Sequence, residues 1–390
     1  MIDTPDALQT LVSRALEADA VALDTEFVWE RTYYAQLGVV QLGLGGDDCH
    51  LIDAQALDLQ PLGALLASPD VTKVLHDAVQ DLQILHRATG ALPKNVFDTQ
   101  RAAGLAGLSS TTSLLDLLQE TVGVTLDKSQ TRTDWLQRPL TPEQRHYALE
   151  DVRTLLEARD ELLRRAEAAG RLDWVEQEME GLDDPELYTE TPFTDAYDRV
   201  KVRGVTKMSA GQRAALYHLA AWREEEARRQ DRPRRRILDD AVLGALATRR
   251  PRSPQKLRVR GLDERDARRY ENVLLDVVRY AAENEQDAPA VPPREPDDVR
   301  LDARAALAHA LVLGLGAAAG VDPALVGSRA DIRAFTAAVD AGTEDEHPMG
   351  RGWRRQFAGG PIAAVLRGDA AVTADPDGLP VVAQENGAPG

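Results

Sequence analysis

The stretch Leu23-Asp24-Thr25-Glu26-Phe27 places two carboxylates at the end of an apolar, β-prone run. In an extended chain the side chains of residues i and i+2 point to the same face, so Asp24 and Glu26 would project together. Two adjacent carboxylates repel, and the pKa of each rises unless a cation neutralises them, as a hard divalent cation with oxygen ligands would. The alternative, which this motif alone leaves open, is a pair of solvent-facing residues at a strand edge.

Two further segments carry acids in a defined setting. Asp81 lies near the start of a helix predicted over about 77–88, which follows the β-prone run 71–75. Tyr147 and Asp151 are four residues apart in a predicted helix and therefore share one face of it. Taken singly, this pair is better explained by a half-buried tyrosine beside a solvated aspartate.

The order of the predicted elements is typical of a mixed α/β domain. Thr4-Pro5 begins a helix, and Thr141-Pro142-Glu143-Gln144 has the capping-box pattern of a long helix that runs to about 169. The remaining predicted elements are β-prone runs at 21–23, 39–42, 49–52 and 71–75 and helices at about 77–88 and 112–122. This pattern predicts an α/β domain over residues 1–190.

Beyond this domain the strand signals disappear. Residues 205–285 are predicted to be helical with basic loops, 286–298 to be a proline-rich linker, 299–370 to be a further helical region and 371–390 to be a flexible tail. The apolar stretch 305–321 is short for a membrane span, so we expect a buried helix of a small bundle and no membrane contact.

The net charge is misleading about partners. The chain has 390 residues, with 46 Lys+Arg against 64 Asp+Glu, a formal charge of −18 and a pI near 4.9. This average argues against a polyanionic partner. Residues 199–270, however, hold 21 Lys+Arg and 9 Asp+Glu, a local charge of +12 that is centred on Arg228–Arg236. A solvated basic surface is the simpler explanation of such a run, and a module that faces nucleic acid is the other.

Composition also bears on the compartment. Cys49 is the single cysteine, which excludes a disulfide framework. The acidic N-terminal residues do not form a secretory signal, so we expect a cytoplasmic protein. No protein partner can be inferred.

Taken together, the acidic motifs resemble the three exonuclease motifs of the DEDD superfamily, and the wider sequence resembles the ribonuclease D family. The tyrosine four residues before Asp151 is similar to the tyrosine-type members. The resemblance extends over nearly all of residues 15–160 and is carried by 24–27, 32–42, 73–76, 81–82, 97–100, 123–129, 132–135, 138–140 and 147–151.

The resemblance implies a ribonuclease H-like domain, with a mixed sheet flanked by helices, that acts as a metal-dependent 3′→5′ exoribonuclease. It implies that Asp24, Glu26, Asp81 and Asp151 hold two Mg²⁺ or Mn²⁺ ions, that Asp24 bridges them, and that Tyr147 orients the attacking water. The products would be nucleoside 5′-monophosphates, and the substrate an RNA with a single-stranded 3′ end, such as a tRNA precursor. A DNA exonuclease on the same fold and a non-catalytic RNA-binding protein are the alternatives.

The resemblance also suggests supporting and RNA-contacting residues. We expect Asp98 to be structural, Asp77 to cap a helix, and Trp135 to serve substrate or structure. The predicted RNA contacts are Tyr34, Gln41, Lys128, Arg132, Arg228, Arg229, Arg234, Arg235 and Arg236.

Residues 205–285 resemble an HRDC domain, through 216–223, Arg228, Arg229 and 237–243. This implies an all-α bundle that contacts RNA, in agreement with the local positive charge. Residues 299–370 resemble a second, more divergent copy, through 325–332 and 352–354. Because that copy is less basic, we expect it to contribute packing or substrate shaping.

Overall fold

The structure is a computed structural model that describes residues 1–126, 133–291 and 298–383. The described chain forms two compact units. The first unit comprises the described residues within 1–26, 37–188 and 296–390, and the second unit those within 27–36 and 189–295.

A five-stranded mixed sheet organises the first unit, as predicted. Its strands are β1 (Ala20–Val28), β2 (Gln36–Gly43), β3 (Cys49–Asp53), β4 (Thr72–Leu75) and β5 (Val96–Asp98), in the order β3-β2-β1-β4-β5. β4 is parallel to both β1 and β5, and β3 is antiparallel to β2. β1 therefore lies at the centre of the sheet, and its residues Val21, Ala22 and Leu23 are buried.

Eight helices surround this sheet: α1 (Pro5–Ala15), α2 (Leu62–Leu66), α3 (Val79–Thr89), α4 (Thr99–Leu105), α5 (Leu114–Val122), α6 (Pro142–Arg153), α7 (Leu155–Ala168) and α8 (Leu172–Glu180). Two short 3₁₀ turns, Gly181–Asp183 and Pro185–Leu187, follow α8. The capping box at Thr141 is confirmed, because Thr141 and Gln144 exchange side-chain-to-backbone hydrogen bonds.

The prediction of one helix to about residue 169 is wrong. The backbone leaves the α-conformation at Thr154 (φ −116°, ψ 13°), which divides the segment into α6 and α7. Because of this break the two helices pack against different elements: α7 contacts β4, α4 and α5, whereas α6 contacts β3.

The second unit is helical. Its helices are α9 (Ala210–Gln230), α10 (Arg234–Ile237), α11 (Asp240–Arg249), α12 (Glu264–Arg269) and α13 (Glu271–Glu283), with 3₁₀ turns at Phe193–Arg199, Val205–Lys207, Pro254–Leu257 and Glu285–Asp287. Leu216, Leu219, Leu243, Leu246 and Leu274 are fully buried in a core of its own. The sequence did not indicate that residues 27–36, which follow the acidic motif, belong to this unit.

The third helical region contains α14 (Val299–Ala319), α15 (Pro323–Val326), α16 (Arg329–Ala341), α17 (Gly352–Arg354) and α18 (Gly360–Arg367), with 3₁₀ turns at Glu344–Glu346 and Pro348–Gly350 and a π-helical turn at Arg355–Gly359. An antiparallel hairpin of β6 (Val372–Ala374) and β7 (Pro380–Val382) follows. The prediction of a flexible tail is therefore wrong for the hairpin. Its Pro380 carbonyl oxygen lies so close to Gly314 of α14 that a Cβ there would be 2.0 Å away.

This third region joins the exonuclease fold instead of forming a separate bundle. Leu311, Phe335 and Trp353 belong to the same buried core as the five-stranded sheet. The Asp322 carboxylate accepts a hydrogen bond from the Ser110 amide at 2.6 Å. The region is thus an integral part of the first unit.

Helix α14 meets the length and composition of a membrane span, the one such helix among the described residues. Ala308, Leu311 and Val312 are buried in the core of the first unit, whereas Leu307 and Leu313 are exposed. The expectation of a buried bundle helix therefore holds for one face of α14.

Candidate active site

β1 presents Asp24 and Glu26 from the centre of the sheet. They alternate with the buried Leu23 and Thr25, so the two carboxylates share one face of the strand, as predicted. This face is the one covered by α6, since a Cβ at Gly43 would lie 3.4 Å from the Ala22 Cβ and 3.0 Å from the Val152 carbonyl oxygen. A glycine at position 43 therefore lets α6 lie directly on the sheet beside the acids.

Asp81 comes from the first turn of α3, after β4. The buried Asp98 carboxylate fixes the intervening loop, accepting hydrogen bonds from the Asp77 and Ala78 amides at 3.1 and 3.0 Å. Asp98 also caps α4 through the Gln100 amide at 2.8 Å. Asp98 is thus structural, as expected. The prediction that Asp77 is a cap is wrong, because Asp77 has a φ of 57° and precedes the N-cap position, which Ala78 occupies.

Helix α6 contributes Asp151 and Tyr147. Ala148 and Val152 are fully buried beneath the helix, and Asp151 is also buried. The Tyr147 ring lies 6.0 Å, centroid to centroid, from the buried Trp135 ring. The turns of α6 therefore place the carboxyl and the phenol on the side of the acid-bearing strand.

Trp135 has a structural position, held by Arg138. The Arg138 guanidinium donates to both carboxylate oxygens of Asp53, at 2.7 and 2.8 Å, and to the carbonyl oxygens of Gly38 and Trp135. These bonds fix the segment before α6 to β2 and β3. Sequence reasoning missed this anchor, although Arg138 lies in a segment that carried the resemblance.

The four acids converge into what we call the acid cluster: Asp24, Glu26, Asp81 and Asp151. One carboxylate oxygen from each of Asp24, Glu26 and Asp151 lies within 4.8 Å of the others. Asp81 is outside that close group, and its carboxylate accepts a hydrogen bond from the Thr25 hydroxyl. The sequence did not indicate this contact of Thr25.

Burial raises the pKa of every member of the acid cluster, and repulsion by other members raises it further for Asp24 and Glu26. Burial is the main cause for Asp24, whose pKa lies well above its usual value, and the charges of Asp81, Asp151 and Glu26 add to it. Burial, followed by the charges of Asp151 and Asp81, raises the pKa of Glu26 to about 9. Burial also raises the pKa of Asp81 to about 6 and that of Asp151 to about 7.

The donor set fits hard divalent cations. The cluster offers carboxylate oxygens alone, which are the ligands that Mg²⁺ and Mn²⁺ prefer. Without a cation, Glu26 keeps its proton at neutral pH and Asp151 keeps its proton about half of the time. Cations can replace these protons, so the site is built to bind metal ions.

The predicted RNA contacts differ in how exposed they are and in the hydrogen bonds that they form. Gln41 is fully buried on β2, so the prediction that it contacts RNA is wrong. Arg228 is a structural residue in place of the predicted RNA contact, since its guanidinium donates to the Tyr33 hydroxyl, the Glu190 carboxylate and the Thr191 carbonyl oxygen.

The Tyr34 hydroxyl also donates to Glu190, at 2.8 Å, and Arg229 makes two hydrogen bonds to Glu226. Arg235 and Arg236 are exposed, and Arg234 is half-buried. Lys128 and Arg132 lie outside the described residues.

Comparisons with known proteins agree with this geometry. A 3′-5′ exonuclease family model matches residues 1–167, and an HRDC domain model matches residues 212–278. The chain is 39% identical over 359 residues to a ribonuclease D of Desulfotalea psychrophila, covering 92% of this chain and 96% of that protein. It is 38% identical over 382 residues to a ribonuclease D of Acidiphilium cryptum, covering 94% and 95%.

The crystal structure of Escherichia coli RNase D, described as an exoribonuclease involved in structured RNA processing, superposes with a TM-score of 0.82. The two sequences are 31% identical, and the match covers 94% of this chain and 98% of that one. The similarity therefore extends over the α/β domain and both helical regions that follow it in the sequence.

Proposed function

The chain belongs to the ribonuclease D family and is a 3′→5′ exoribonuclease, and we propose that the acid cluster is its catalytic centre. The single observation that carries this assignment is the convergence of Asp24, Glu26 and Asp151 to within 4.8 Å on one face of the sheet. Four carboxylates with raised pKa values and no ion-pair partner among the described lysines and arginines require cations from solution.

We propose that Asp24, Glu26, Asp81 and Asp151 hold two Mg²⁺ or Mn²⁺ ions, with Asp24 as the ligand common to both. When bound, the ions would neutralise the carboxylates, acidify the attacking water and stabilise charge on the departing 3′ oxygen. Thr25 keeps the Asp81 carboxylate in place through its hydroxyl.

In the proposed reaction a water oxygen attacks the phosphorus of the last phosphodiester. The new P–O bond forms as the bond from phosphorus to the 3′ oxygen of the preceding nucleotide breaks. That oxygen takes up a proton, so the products are a nucleoside 5′-monophosphate and an RNA one nucleotide shorter. Tyr147, on the same helix as Asp151, would orient the attacking water through its hydroxyl.

We further propose that the substrates are structured RNAs with single-stranded 3′ ends, such as tRNA precursors, and that the protein works in the cytoplasm. The basic surface of the second unit supports an RNA substrate, since residues 199–270 carry a local charge of +12. The lone cysteine, Cys49, supports a reducing compartment.

The acid cluster is tested by replacing Asp24 or Asp151 with asparagine and measuring nucleotide release from a 3′-extended tRNA. Each variant is expected to lose at least about 10³-fold in turnover because a metal ligand is removed, while RNA binding persists. Glu17→Gln removes a comparable charge at an exposed position of the first unit and should leave turnover unchanged.

The same assay distinguishes the alternatives. Faster hydrolysis of 3′-labelled DNA than of RNA of the same sequence would indicate a DNA exonuclease, and the absence of Mg²⁺- or Mn²⁺-dependent release would indicate a non-catalytic RNA-binding protein. Retained turnover in both the Asp24→Asn and the Asp151→Asn variant would refute the proposed centre.

A further inference from the structure

The second unit contains a cavity of about 540 Å³ that is lined by basic side chains and an exposed tryptophan. The lining includes Trp29, Arg199, Lys201, Arg223, Arg234 and Arg235. All of these residues belong to the second unit, including Trp29, which lies in the 27–36 segment. We call this feature the basic cavity.

The positive charge of the basic cavity is only partly compensated. Asp240 is the one acid in its lining, and it already accepts from the Arg223 guanidinium at 2.8 Å and the Lys201 amide at 3.1 Å. Lys201 and Arg235 are exposed, and within the described ranges neither forms an ion pair. Two cations therefore remain available to an anionic ligand.

Arg223 forms part of the wall of the cavity. Its side chain is 3% exposed, and its Nη1 donates to the Leu238 carbonyl oxygen at 2.9 Å and to the Asp240 carboxylate at 2.8 Å. The exposed side chains of Lys201 and Arg235 are therefore the cations that can reach an anionic ligand. Guanidinium groups match phosphate oxygens in charge and geometry.

Glu224 fixes the orientation of two lining arginines, Arg199 and Arg234. This carboxylate is 1% exposed and lies 3.5 Å from Arg199 Nη1 and 3.6 Å from Arg234 Nη1. The Tyr33 hydroxyl also donates to it. The cavity is therefore held in shape without a ligand, which reduces the entropic cost of binding one.

Trp29 adds a surface for a base. Its side chain is 64% exposed, the most exposed aromatic residue among the described residues. An aromatic face beside phosphate-binding cations is the combination by which proteins hold single-stranded nucleic acid. In the sequence Trp29 follows the proposed metal ligand Glu26 by three residues.

We propose that the basic cavity is an RNA subsite that binds a phosphodiester between Lys201 and Arg235 while an unpaired base stacks on Trp29. This inference rests on the proposed function, because it assumes an RNA substrate for the acid cluster.

The test measures binding of a 12-nucleotide single-stranded RNA to the full chain carrying Asp24→Asn, by fluorescence anisotropy at several salt concentrations. Adding Trp29→Ala should weaken binding by about fivefold to a hundredfold without changing the salt dependence, and Trp29→Phe should restore most of it. Adding Lys201→Ala and Arg235→Ala together should weaken binding severalfold and reduce the slope of log K against log salt by about 1.4.

Arg265→Ala is the matched control, since Arg265 is an exposed arginine of the same unit outside the cavity. An equal loss for Arg265→Ala, or unchanged binding in the Trp29 and Lys201/Arg235 variants, would overturn the subsite. Competition by polyglutamate as effective as that by RNA would also overturn it, in favour of an acidic peptide. Thermal unfolding confirms that each variant is folded.

Hydrolysis separates this inference from the proposed function. With Asp24 intact, Trp29→Ala should slow degradation of the 12-nucleotide RNA at low concentration but not that of a dinucleotide, which is too short to occupy a second subsite. Equal effects on both RNAs would contradict the subsite and leave the catalytic centre standing. Unimpaired turnover in the Asp24→Asn and Asp151→Asn proteins would instead contradict the catalytic centre.

Discussion

Buried carboxylates in the two units differ in what compensates their charge. In the second unit, Glu224 lies within 3.8 Å of guanidinium nitrogens of Arg199, Arg228 and Arg234. In the first unit, no lysine or arginine of the described ranges forms an ion pair with the acid cluster. A compensated carboxylate serves the fold, whereas an uncompensated group of four requires an exchangeable cation.

The charge of Asp98, also in the first unit, is compensated in a third way. Its carboxylate is 2% exposed and accepts hydrogen bonds from four backbone amides, those of Asp77, Ala78, Gln100 and Arg101. Backbone donors fixed by the fold surround Asp98, and the Arg101 Nε lies 3.9 Å from its carboxylate, so Asp98 needs no exchangeable cation. Burial alone therefore does not distinguish the acid cluster from structural carboxylates, but the partners of each carboxylate do.

Replacing Glu224 should have the largest effect on stability. Glu224→Gln removes the counter-charge of three arginines and is expected to lower the free energy of unfolding of the second unit by about 3–5 kcal/mol. Urea denaturation monitored by circular dichroism measures this. Glu225→Gln, at the adjacent exposed position, should change it little. Equal stabilities of the two variants would show that Glu224 does not hold the second unit together.

Without metal, the stability of the first unit should decrease as the pH rises. In a chelator, the unfolded chain releases its carboxyl protons near pH 4, whereas the folded acid cluster keeps protons until pH values of about 6 to 9. The stability is thus present at low pH and is lost as pH rises through the folded values. The melting temperature in chelator should fall from pH 5 to pH 9, measured by scanning calorimetry.

Mg²⁺ should oppose this loss, by about 2.7 kcal/mol at one hundred times its dissociation constant, and more effectively at pH 8 than at pH 6 because cations compete with protons for the carboxylates. A melting temperature that does not depend on Mg²⁺ at pH 8 would contradict the cation requirement of the acid cluster.

Asp24→Asn tests the comparison directly, since it is the same carboxylate-to-amide change as Glu224→Gln but with the opposite expected sign. Without metal at pH 8 it removes the cost of burying a carboxylate among other acids and should raise the free energy of unfolding. Chemical denaturation in chelator measures it, with Glu17→Gln as the neutral reference. A destabilised Asp24→Asn protein would mean that Asp24 already has a fixed partner.

The smallest expected effect is at Asp98. Asp98→Asn retains one accepting oxygen and should lower the free energy of unfolding by about 1 kcal/mol through the weakened cap of α4. Because the loop before α3 carries Asp81, Mg²⁺ affinity measured by calorimetric titration should also fall. Asp58→Asn, at an exposed turn, is the control. Unchanged Mg²⁺ affinity would show that Asp98 does not position Asp81.

Local patterns predicted much of this arrangement. The i, i+2 spacing of Asp24 and Glu26 and the i, i+4 spacing of Tyr147 and Asp151 each determine a shared face, because side-chain direction follows from backbone geometry within one element. The capping box at Thr141 is equally local and is confirmed. These patterns do not reveal which faces meet.

Non-local contacts explain what the sequence predicted wrongly. Gln41 is polar and belongs to a segment that resembles the family, but on β2 it is fully buried. Arg228 belongs to a basic run, but Glu190, Thr191 and Tyr33 take up its guanidinium. Residues 299–370 have the helical pattern of a separate bundle, but Phe335 and Trp353 pack into the core of the exonuclease sheet.

The sequence by itself determined the mixed α/β class, the shared faces of Asp24 with Glu26 and of Tyr147 with Asp151, and the separation of acidic from basic regions, because these depend on residue type, spacing and composition. The tertiary structure alone decided that the third helical region belongs to the first unit and that Glu224 neutralises arginines of the basic run. It also decided that Trp29 lies beside the remaining cations. Each of these depends on contacts between residues far apart in the chain, for which periodicity and propensity carry no information.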